Sequence, residues 1–247
     1  MLSKKEIQIM KSNAKIHKKV FEKIKETAKQ WVSTNEINDL CGKIAKKHNV
    51  LCGFKWTYWF PDNICISIND EIAHGTASRN IIFQNWDFVN FDFWIKDKWV
   101  WVNTDAGFSM VIWGDQYNPV AAKMIEVNKK ALYAGIEQCR VWNTVWDIGA
   151  AVEKEIEKWG FKVVKDLTGH AVGKEMHERP YIPNYGTPGT WAKLKAWMTL
   201  AIEPLLGETS WEIVDEWGWE IYIKDWSLGS QFEHNILITD GDPEIII

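Results

Sequence analysis

The chain has 247 residues, 46% hydrophobic and 25% charged, which is the composition of a globular protein long enough to form one sizeable core. Its net charge of -4 predicts no broad electrostatic attraction to nucleic acid or to a membrane surface. Without a membrane-spanning apolar stretch, a signal-peptide core or a CxxC pair, the chain is expected to be cytoplasmic and to keep its four cysteines reduced.

The spacing of apolar residues predicts helices in the first half and in the middle of the chain. Residues 4–30 have apolar positions at helical spacing between lysines. A second helix is predicted to start at a capping residue, either Ser33 or Thr34. Residues 119–139, which open with a proline, and residues 147–158 are predicted to form two more helices.

Alternating apolar residues predict strands elsewhere. Residues 62–72 alternate well enough for one strand, and residues 87–112 contain two apolar runs separated by KDK, which is typical of a β-hairpin. Shorter strands are expected later, at FKVVKD, MTLAIEPLL, WEIYIKD and FEHNILIT. Because no linker, low-complexity tract or short repeat interrupts the chain, we expect one α+β domain over residues 1–247.

Four carboxylates and one histidine lie in these predicted strands or at their edges. A carboxylate buried in an apolar strand is costly unless it is paired or binds a metal ion. Four carboxylates and one imidazole suit a pair of divalent first-row ions, which can activate water and polarise a carbonyl. Each residue taken alone is weak evidence, since such residues are commonly structural. The candidates are Asp92 in VNFDF, Asp105 in VNTDAGFS, His170 in LTGHAVG, Glu203 in LAIEPLL and Glu233 in QFEHNILI.

The order of short motifs resembles that of the type I methionine aminopeptidases, metallopeptidases of family M24 with the pita-bread fold. TGHAVG, MHERP, AIEPLL and QFEH follow one another as in that family, and FPDNICISINDEIAHG, VNFDF and TDAGFS precede them. The resemblance spans essentially the whole chain. It implies two pseudo-symmetric halves with a curved antiparallel sheet covered by helices. It also implies that the five candidates are the metal ligands.

The resemblance further implies how the site works. A metal-activated hydroxide would attack the carbonyl of the N-terminal methionine of a peptide or nascent protein, with a small second residue preferred. Glu203 would relay the proton, and His74 in EIAHG and His177 in MHERP are similar to the family's two substrate-facing histidines. The methionine pocket is expected at Phe60, Cys65, Met176 and Trp219.

The family resemblance also sets expectations for cofactors and partners. Two divalent ions, drawn from Co, Mn, Fe and Zn, are expected at the site. The expected partners are peptide or nascent-chain substrates, with transient ribosome association. We expect no nucleic-acid specificity, no membrane contact and a monomer.

The hairpin departs from the family pattern. Asp92 and Asp105 are two residues farther apart than is usual in the family, and Asn103 stands at the usual spacing. Extra residues at the KDK turn would lengthen the loop without moving either ligand, whereas growth within the paired strands would change which side chains face inward. The TDAGFS context favours Asp105.

Tryptophan is abnormally frequent, with 17 residues in the chain. Glycine serves at turns because it adopts positive φ and allows close backbone approach, and tryptophan is poorly suited to either role. We therefore hypothesise that UGA codons written here as tryptophan are read as glycine in the source organism; a tryptophan-rich surface that binds sugars or partners is the alternative. Related proteins usually have glycine at the positions of Trp31, Trp56, Trp59, Trp86, Trp94, Trp142, Trp146, Trp191, Trp197 and Trp226. Turn-like contexts surround Trp99, Trp113, Trp211 and Trp217, the family commonly has tryptophan at Trp219, and Trp101 and Trp159 fit neither group.

Three other functions remain open from the sequence. A proline-specific or dipeptide-cleaving relative would usually carry an additional N-terminal domain, which we do not expect in a chain of 247 residues. A non-catalytic peptide- or ribosome-binding protein on the same fold would typically lack metal ligands. A tryptophan-rich carbohydrate-binding module would not need the buried carboxylates.

Overall fold

Helices pack against antiparallel sheets in the computed structural model, which describes residues 1–215 and 218–247. Trp217, one of the tryptophans in a turn-like context, lies outside the described residues. Over the described ranges, no helix is both long and apolar enough to cross a membrane. The helices are α1 (Lys4–Thr27), α2 (Thr34–Lys47), α3 (Gly53–Thr57), α4 (Pro119–Glu137) and α5 (Val145–Glu157), with a 3₁₀ turn at Asp115–Tyr117.

The strands are short apart from one long hairpin. They are β1 (Leu51–Cys52), β2 (Cys65–Ile68), β3 (Glu71–Ala73), β4 (Phe88–Lys96), β5 (Asn103–Val111), β6 (Lys162–Val163), β7 (Thr168–Ala171), β8 (Glu178–Pro183), β9 (Thr199–Ile202), β10 (Leu205–Gly207), β11 (Ile213–Val214), β12 (Ile221–Ile223), β13 (Gly229–Gln231), β14 (His234–Leu237) and β15 (Glu244–Ile245). In the first half of the chain, β4 pairs with β1, β2 and β5; in the second, the strand order is β15-β14-β9-β7-β8. The main apolar core lies between these sheets and the helices.

Capping residues determine where the first two helices begin. The side chain of Ser3 accepts a hydrogen bond from the backbone of Glu6, whose carboxylate accepts one from the backbone of Ser3. Ser33 and Glu36 form the same reciprocal pair at the start of α2. This arrangement is a capping box, and it identifies Ser33 rather than Thr34 as the N-cap of α2.

The prediction of one strand over residues 62–72 is wrong in one respect, because the segment forms two strands. The backbone of Asn69 has φ of 59°, in the left-handed region that asparagine tolerates better than most residues. The chain therefore turns between β2, which pairs with β4, and β3, which pairs with β12. The turn directs the end of β3 and the following His74 toward the second half of the molecule.

The predicted hairpin is formed by β4 and β5, and its register fixes which side chains face together. Asp92 pairs with Gly107, and Trp94 pairs with Asp105. Side chains two residues apart on a strand lie on the same face, so Asp105 lies diagonally across from Asp92. In the connecting loop, Asp97 accepts backbone hydrogen bonds from the residues that follow it.

The two halves repeat one arrangement, in which two helices precede an antiparallel sheet. The approach to α2 and the approach to α5 correspond in detail. The backbone N–H of Trp31 donates to the carbonyl of Phe83, and the N–H of Trp142 donates to the carbonyl of Leu194. Both tryptophans lie two residues before the N-cap of the helix, with φ of 74° and 79°. The pseudo-symmetry therefore extends to the backbone conformation of single residues.

Tryptophan dominates the left-handed backbone positions. Ten non-glycine residues in the described part of the chain have positive φ, and apart from Asn49, Asn69 and His74 they are all tryptophan. Left-handed backbone destabilises a residue with a Cβ by roughly 1–2 kcal/mol. The indoles are exposed, so burial does not offset this cost. The seven are Trp31, Trp59, Trp101, Trp142, Trp191, Trp197 and Trp226, with φ from 60° to 79°.

These positions support the recoding hypothesis and refine it. Six of the seven are positions where related proteins usually have glycine, and Trp101, which fitted neither group, joins them. Trp56, Trp86, Trp94 and Trp146 are absent from the left-handed set, so their backbone conformation does not by itself call for glycine.

We predict that replacing the seven left-handed tryptophans by glycine raises the melting temperature. Each replacement removes roughly 1–2 kcal/mol of strain, which corresponds to about 2–4 °C per kcal/mol in a chain of this size. Thermal unfolding of the two proteins measures the difference. A control variant with glycine at Trp99, Trp113 and Trp211, which are exposed but not left-handed, should gain no stability.

A sevenfold variant that is no more stable than the unmodified chain would contradict the strain argument. UGG codons at these positions in the gene would separately rule out the recoding hypothesis.

Candidate metal centre

The five predicted ligands meet in one cavity of about 700 Å³. Asp92 and Asp105 come from the hairpin strands β4 and β5, and His170 comes from β7. Glu203 directly follows β9, and Glu233 lies between β13 and β14. The first half of the chain thus contributes two side chains and the second half three.

Backbone pairing joins the halves beside this cluster. Gly107 and Glu233 exchange backbone hydrogen bonds of 3.3 and 2.9 Å, and Gly107 is also the register partner of Asp92. Within the second half, His170 of β7 pairs with Ala201 of β9, two residues before Glu203. The positions of these candidate ligands are therefore set by sheet register.

The atoms of Asp105, His170 and Glu233 that could bind a metal ion lie within 4.8 Å of one another. The Nε2 atom of His170 is 3.9 Å from Oδ2 of Asp105 and 3.6 Å from Oε1 of Glu203. The Nδ1 atom of His170 lies 3.1 Å from the carbonyl oxygen of Ala171, to which it can donate. That hydrogen bond leaves the lone pair of Nε2 facing the carboxylates, as in metal-binding histidines. Burial lowers the pKa of His170 to about 3, which keeps the ring neutral.

Asp92, Asp105 and Glu233 are buried and Glu203 is mostly buried beside them, and this disfavours the charged forms of the carboxylates. Burial raises the pKa of Asp105 well above its usual value, and the charges of Glu233 and Asp92 raise it further. Burial and neighbouring carboxylates likewise raise the pKa of Glu203 and of Glu233. Burial raises the pKa of Asp92 to about 7. A cation at the centre of the cluster would reverse this effect.

The buried oxygen atoms fit a metal ion. Oδ1 of Asp92, Oδ1 of Asp105 and Oε1 of Glu233 are buried without a hydrogen-bond partner. Buried polar atoms are rarely left unpaired, because the loss of hydration is then uncompensated. Carboxylate oxygens with one neutral imidazole are a ligand set suited to divalent first-row metals.

The structure brings Asp105, and not Asn103, to this cluster. The side-chain oxygen of Asn103 accepts a hydrogen bond of 2.9 Å from the indole N–H of Trp94. Its amide nitrogen donates to the carbonyl oxygens of Gly173 and Lys174 at 3.0 and 2.8 Å. Asn103 therefore fastens the hairpin to the segment after β7, and Asp105 is left facing His170.

The two predicted substrate-facing histidines also line the cavity. His74 follows β3 with φ of 56°, and His177 directly precedes β8. The ring centroid of His177 lies 4.4 Å from that of His170, with the ring planes at 77°. Burial lowers the pKa of both His74 and His177, so each favours the neutral form, which can donate one hydrogen bond.

Apolar side chains line the other part of the cavity. Phe60, Met176 and Trp219 are in its wall, and the rings of Phe60 and Trp219 meet edge to face with centroids 5.5 Å apart. Cys65 is buried in the same apolar cluster, and burial raises the pKa of its thiol well above the usual value, which keeps it uncharged. This surface suits an unbranched apolar side chain.

Some residues at the site were not predicted. Phe54, Tyr58 and Gln231 line the cavity. Trp94, named in the sequence among the positions where related proteins usually have glycine, is fully buried edge to face against Phe54, with centroids 5.6 Å apart. In the sequence these aromatic residues look like ordinary core positions, so spacing alone could not have assigned them to the site.

Comparisons with known proteins agree with this geometry. The profile of Metallopeptidase family M24 matches residues 8–240. The chain is 33% identical over 243 residues to the methionine aminopeptidase of Clostridium acetobutylicum, covering 98% of this chain and 95% of that protein. It is 33% identical over 249 residues to methionine aminopeptidase A of Synechocystis sp., covering 100% and 96%. The crystal structure of methionine aminopeptidase from Thermotoga maritima matches with a TM-score of 0.94 at 30% identity, covering 99% and 97%. The predicted α+β pita-bread fold is confirmed.

We predict that Asp105→Asn weakens the binding of Mn²⁺ or Co²⁺ by more than the roughly 10–100-fold typical of changes just outside a ligand set. Isothermal titration of the chelator-stripped protein measures the affinity. Asn103→Ala is the matched control, two residues away on the same strand face. It should lower the melting temperature, because the side-chain hydrogen bonds to Trp94, Gly173 and Lys174 are lost, while it leaves metal affinity nearly unchanged.

The opposite pattern, with metal affinity lost in Asn103→Ala and kept in Asp105→Asn, would show that the ligand is at position 103.

Proposed function

The chain belongs to metallopeptidase family M24, and we propose that it is a metal-dependent aminopeptidase that removes the N-terminal methionine from peptides and nascent proteins. One observation carries the proposal: a buried cluster of carboxylates and histidine shares a cavity with an apolar pocket. The cluster suits metal-assisted hydrolysis, and the pocket suits the methionine side chain.

Divalent metal would be held by Asp92, Asp105, His170, Glu203 and Glu233. We propose two ions, because one four-coordinate ion in a hydrolytic site rarely uses more than three protein ligands. Co, Mn, Fe and Zn all suit a ligand set of this kind. When bound, the ions would polarise the substrate carbonyl and lower the pKa of water.

The protein's own side chains would position the substrate and move the proton. Glu203 lies 3.6 Å from His170 with its side chain mostly buried and its pKa raised, so its carboxyl suits a proton shuttle from the attacking water to the leaving amine. His74 and His177 would donate N–H hydrogen bonds to the substrate carbonyl and to the oxyanion that develops from it. Phe60, Cys65, Met176 and Trp219 would surround the methionine side chain, with a small second residue preferred.

A non-catalytic binding protein on this fold is not favoured. A protein that had lost hydrolytic activity would have no need to keep buried carboxylate oxygens without partners, since their burial is destabilising unless a cation is bound.

We predict that the metal-loaded protein releases methionine from Met-Ala-Ser, that a chelator abolishes the release, and that added metal restores it. Glu203→Gln should lower kcat by about 10²–10⁴-fold, because the proton shuttle is lost. Glu137→Gln, on an exposed part of α4, is the matched control and should keep full activity.

The assay should include the protein with glycine at the seven left-handed positions, so that backbone strain is not mistaken for lack of function. If neither form releases methionine in a chelator-sensitive way, the proposed function is refuted.

For the partners, we propose a cytoplasmic monomer that associates transiently with ribosomes. The exposed lysines of α1, among them Lys15, Lys18 and Lys19, support contact with a phosphate-rich surface.

We expect co-sedimentation with ribosomes at low salt that is lost at high salt, and a sedimentation velocity matching a single 28.7 kDa chain. Charge reversal of the three lysines should reduce co-sedimentation without changing peptide cleavage. Unchanged co-sedimentation would show that these lysines do not form the ribosome contact. A sedimentation velocity matching a dimer would contradict the monomer.

A further inference from the structure

Tyr58 contacts His177 at the edge of the cavity. The Oη atom of Tyr58 lies 2.6 Å from Nδ1 of His177. The two rings also stack, with centroids 5.6 Å apart and planes at 26°. The hydrogen bond and the stacking together determine both the position and the tilt of the imidazole.

The backbone and ring of Tyr58 are themselves held in place. Tyr58 is the C-cap of α3, and its backbone N–H donates to the carbonyl of Phe54 at 3.1 Å. Its ring packs against Trp94, with centroids 5.9 Å apart. The indole of Trp94 is fully buried and is hydrogen-bonded to Asn103 of β5. A continuous set of contacts therefore runs from the hairpin through Tyr58 to His177.

The direction of the hydrogen bond determines what His177 can do. A neutral imidazole has one donor nitrogen and one acceptor nitrogen. A phenol is a stronger acid than a neutral imidazole N–H, and an imidazole nitrogen is a better acceptor than a phenol oxygen, so the O–H of Tyr58 is the natural donor. With Nδ1 accepting that bond, the ring proton must be on Nε2, at the opposite side of the ring.

We propose that Tyr58 is a positioning residue for the reaction: its hydroxyl fixes His177 in the Nε2–H tautomer that can donate to the peptide substrate. The inference rests on the proposed function for the role of His177. It assigns Tyr58 no contact with the reacting atoms, since the tyrosine acts through the histidine.

The exposure of Tyr58 separates this role from a merely structural one. Tyr58 is 41% exposed and its hydrogen bond to His177 is exposed to solvent, so water can replace that bond without leaving a buried polar atom unpaired. Removal of the hydroxyl should therefore change catalysis much more than folding.

Tyr58→Phe is the test, because it keeps the ring and its stacking and removes only the hydroxyl. We expect kcat for Met-Ala-Ser to fall by about 10–100-fold. This fall is smaller than the roughly 10⁴-fold loss of kcat seen when a catalytic histidine is held in the wrong tautomer. KM and the melting temperature should stay close to those of the unmodified protein. Tyr117→Phe is the control: that tyrosine stacks on Trp113 away from the cavity and should behave as the unmodified protein.

A double-mutant cycle adds a test that a structural effect would fail. If Tyr58 acts through His177, then Tyr58→Phe should cause no further loss of kcat in a His177→Ala background. A further loss of 10-fold or more in that background, or an unchanged kcat in Tyr58→Phe alone, overturns the inference.

Nitrogen-15 NMR of the imidazole separates this inference from the proposed function. We expect the Nε2–H tautomer of His177 in the unmodified protein and a mixture of tautomers in Tyr58→Phe. The proposed function can fail in the peptide assay while the NMR result still supports the hydrogen bond. Identical tautomer populations in the two proteins would overturn the inference even if the enzyme is fully active.

Discussion

Mutual repulsion among four clustered carboxylates, three of them buried, is the constraint on which the structure depends. Asp92 and Asp105 from the hairpin meet Glu203 and Glu233 from the second half, and burial raises the pKa of each. Such a cluster is destabilising unless a cation is present, so the rest of the fold must hold these side chains together. The backbone hydrogen bonds between Gly107 and Glu233 do this across the two halves.

The sequence singled out five side chains that line one cavity, because these candidate ligands lie in short, ordered motifs. It favoured Asp105 over Asn103 from the TDAGFS context alone, since sequence spacing does not show where a side chain finds its partners. Asn103 is held by carbonyl groups about seventy residues away, at Gly173 and Lys174. The break at Asn69 was missed for a related reason, because an alternating pattern does not reveal a left-handed residue.

The aromatic side of the cavity could not be predicted in the same way. Tyr58 and His177 are separated by 119 residues, and Phe54 and Trp94 come from different elements. No periodicity of the sequence connects these pairs, and aromatic residues are common in cores of every kind. The residues proposed to surround methionine could be anticipated only because the chain resembles a known family.

The pseudo-symmetry of the fold has a consequence for evolution under a changed genetic code. Trp31 and Trp142 occupy equivalent steps before α2 and α5, with nearly the same φ. Because both halves use the same left-handed turn, the fold needs a residue that readily adopts positive φ at two positions. Reassignment of a single codon would therefore change the residue at corresponding positions of both halves. If such a gene were transferred into a lineage with a different code, the turns of both halves would be destabilised together. Selection would therefore act against the transfer.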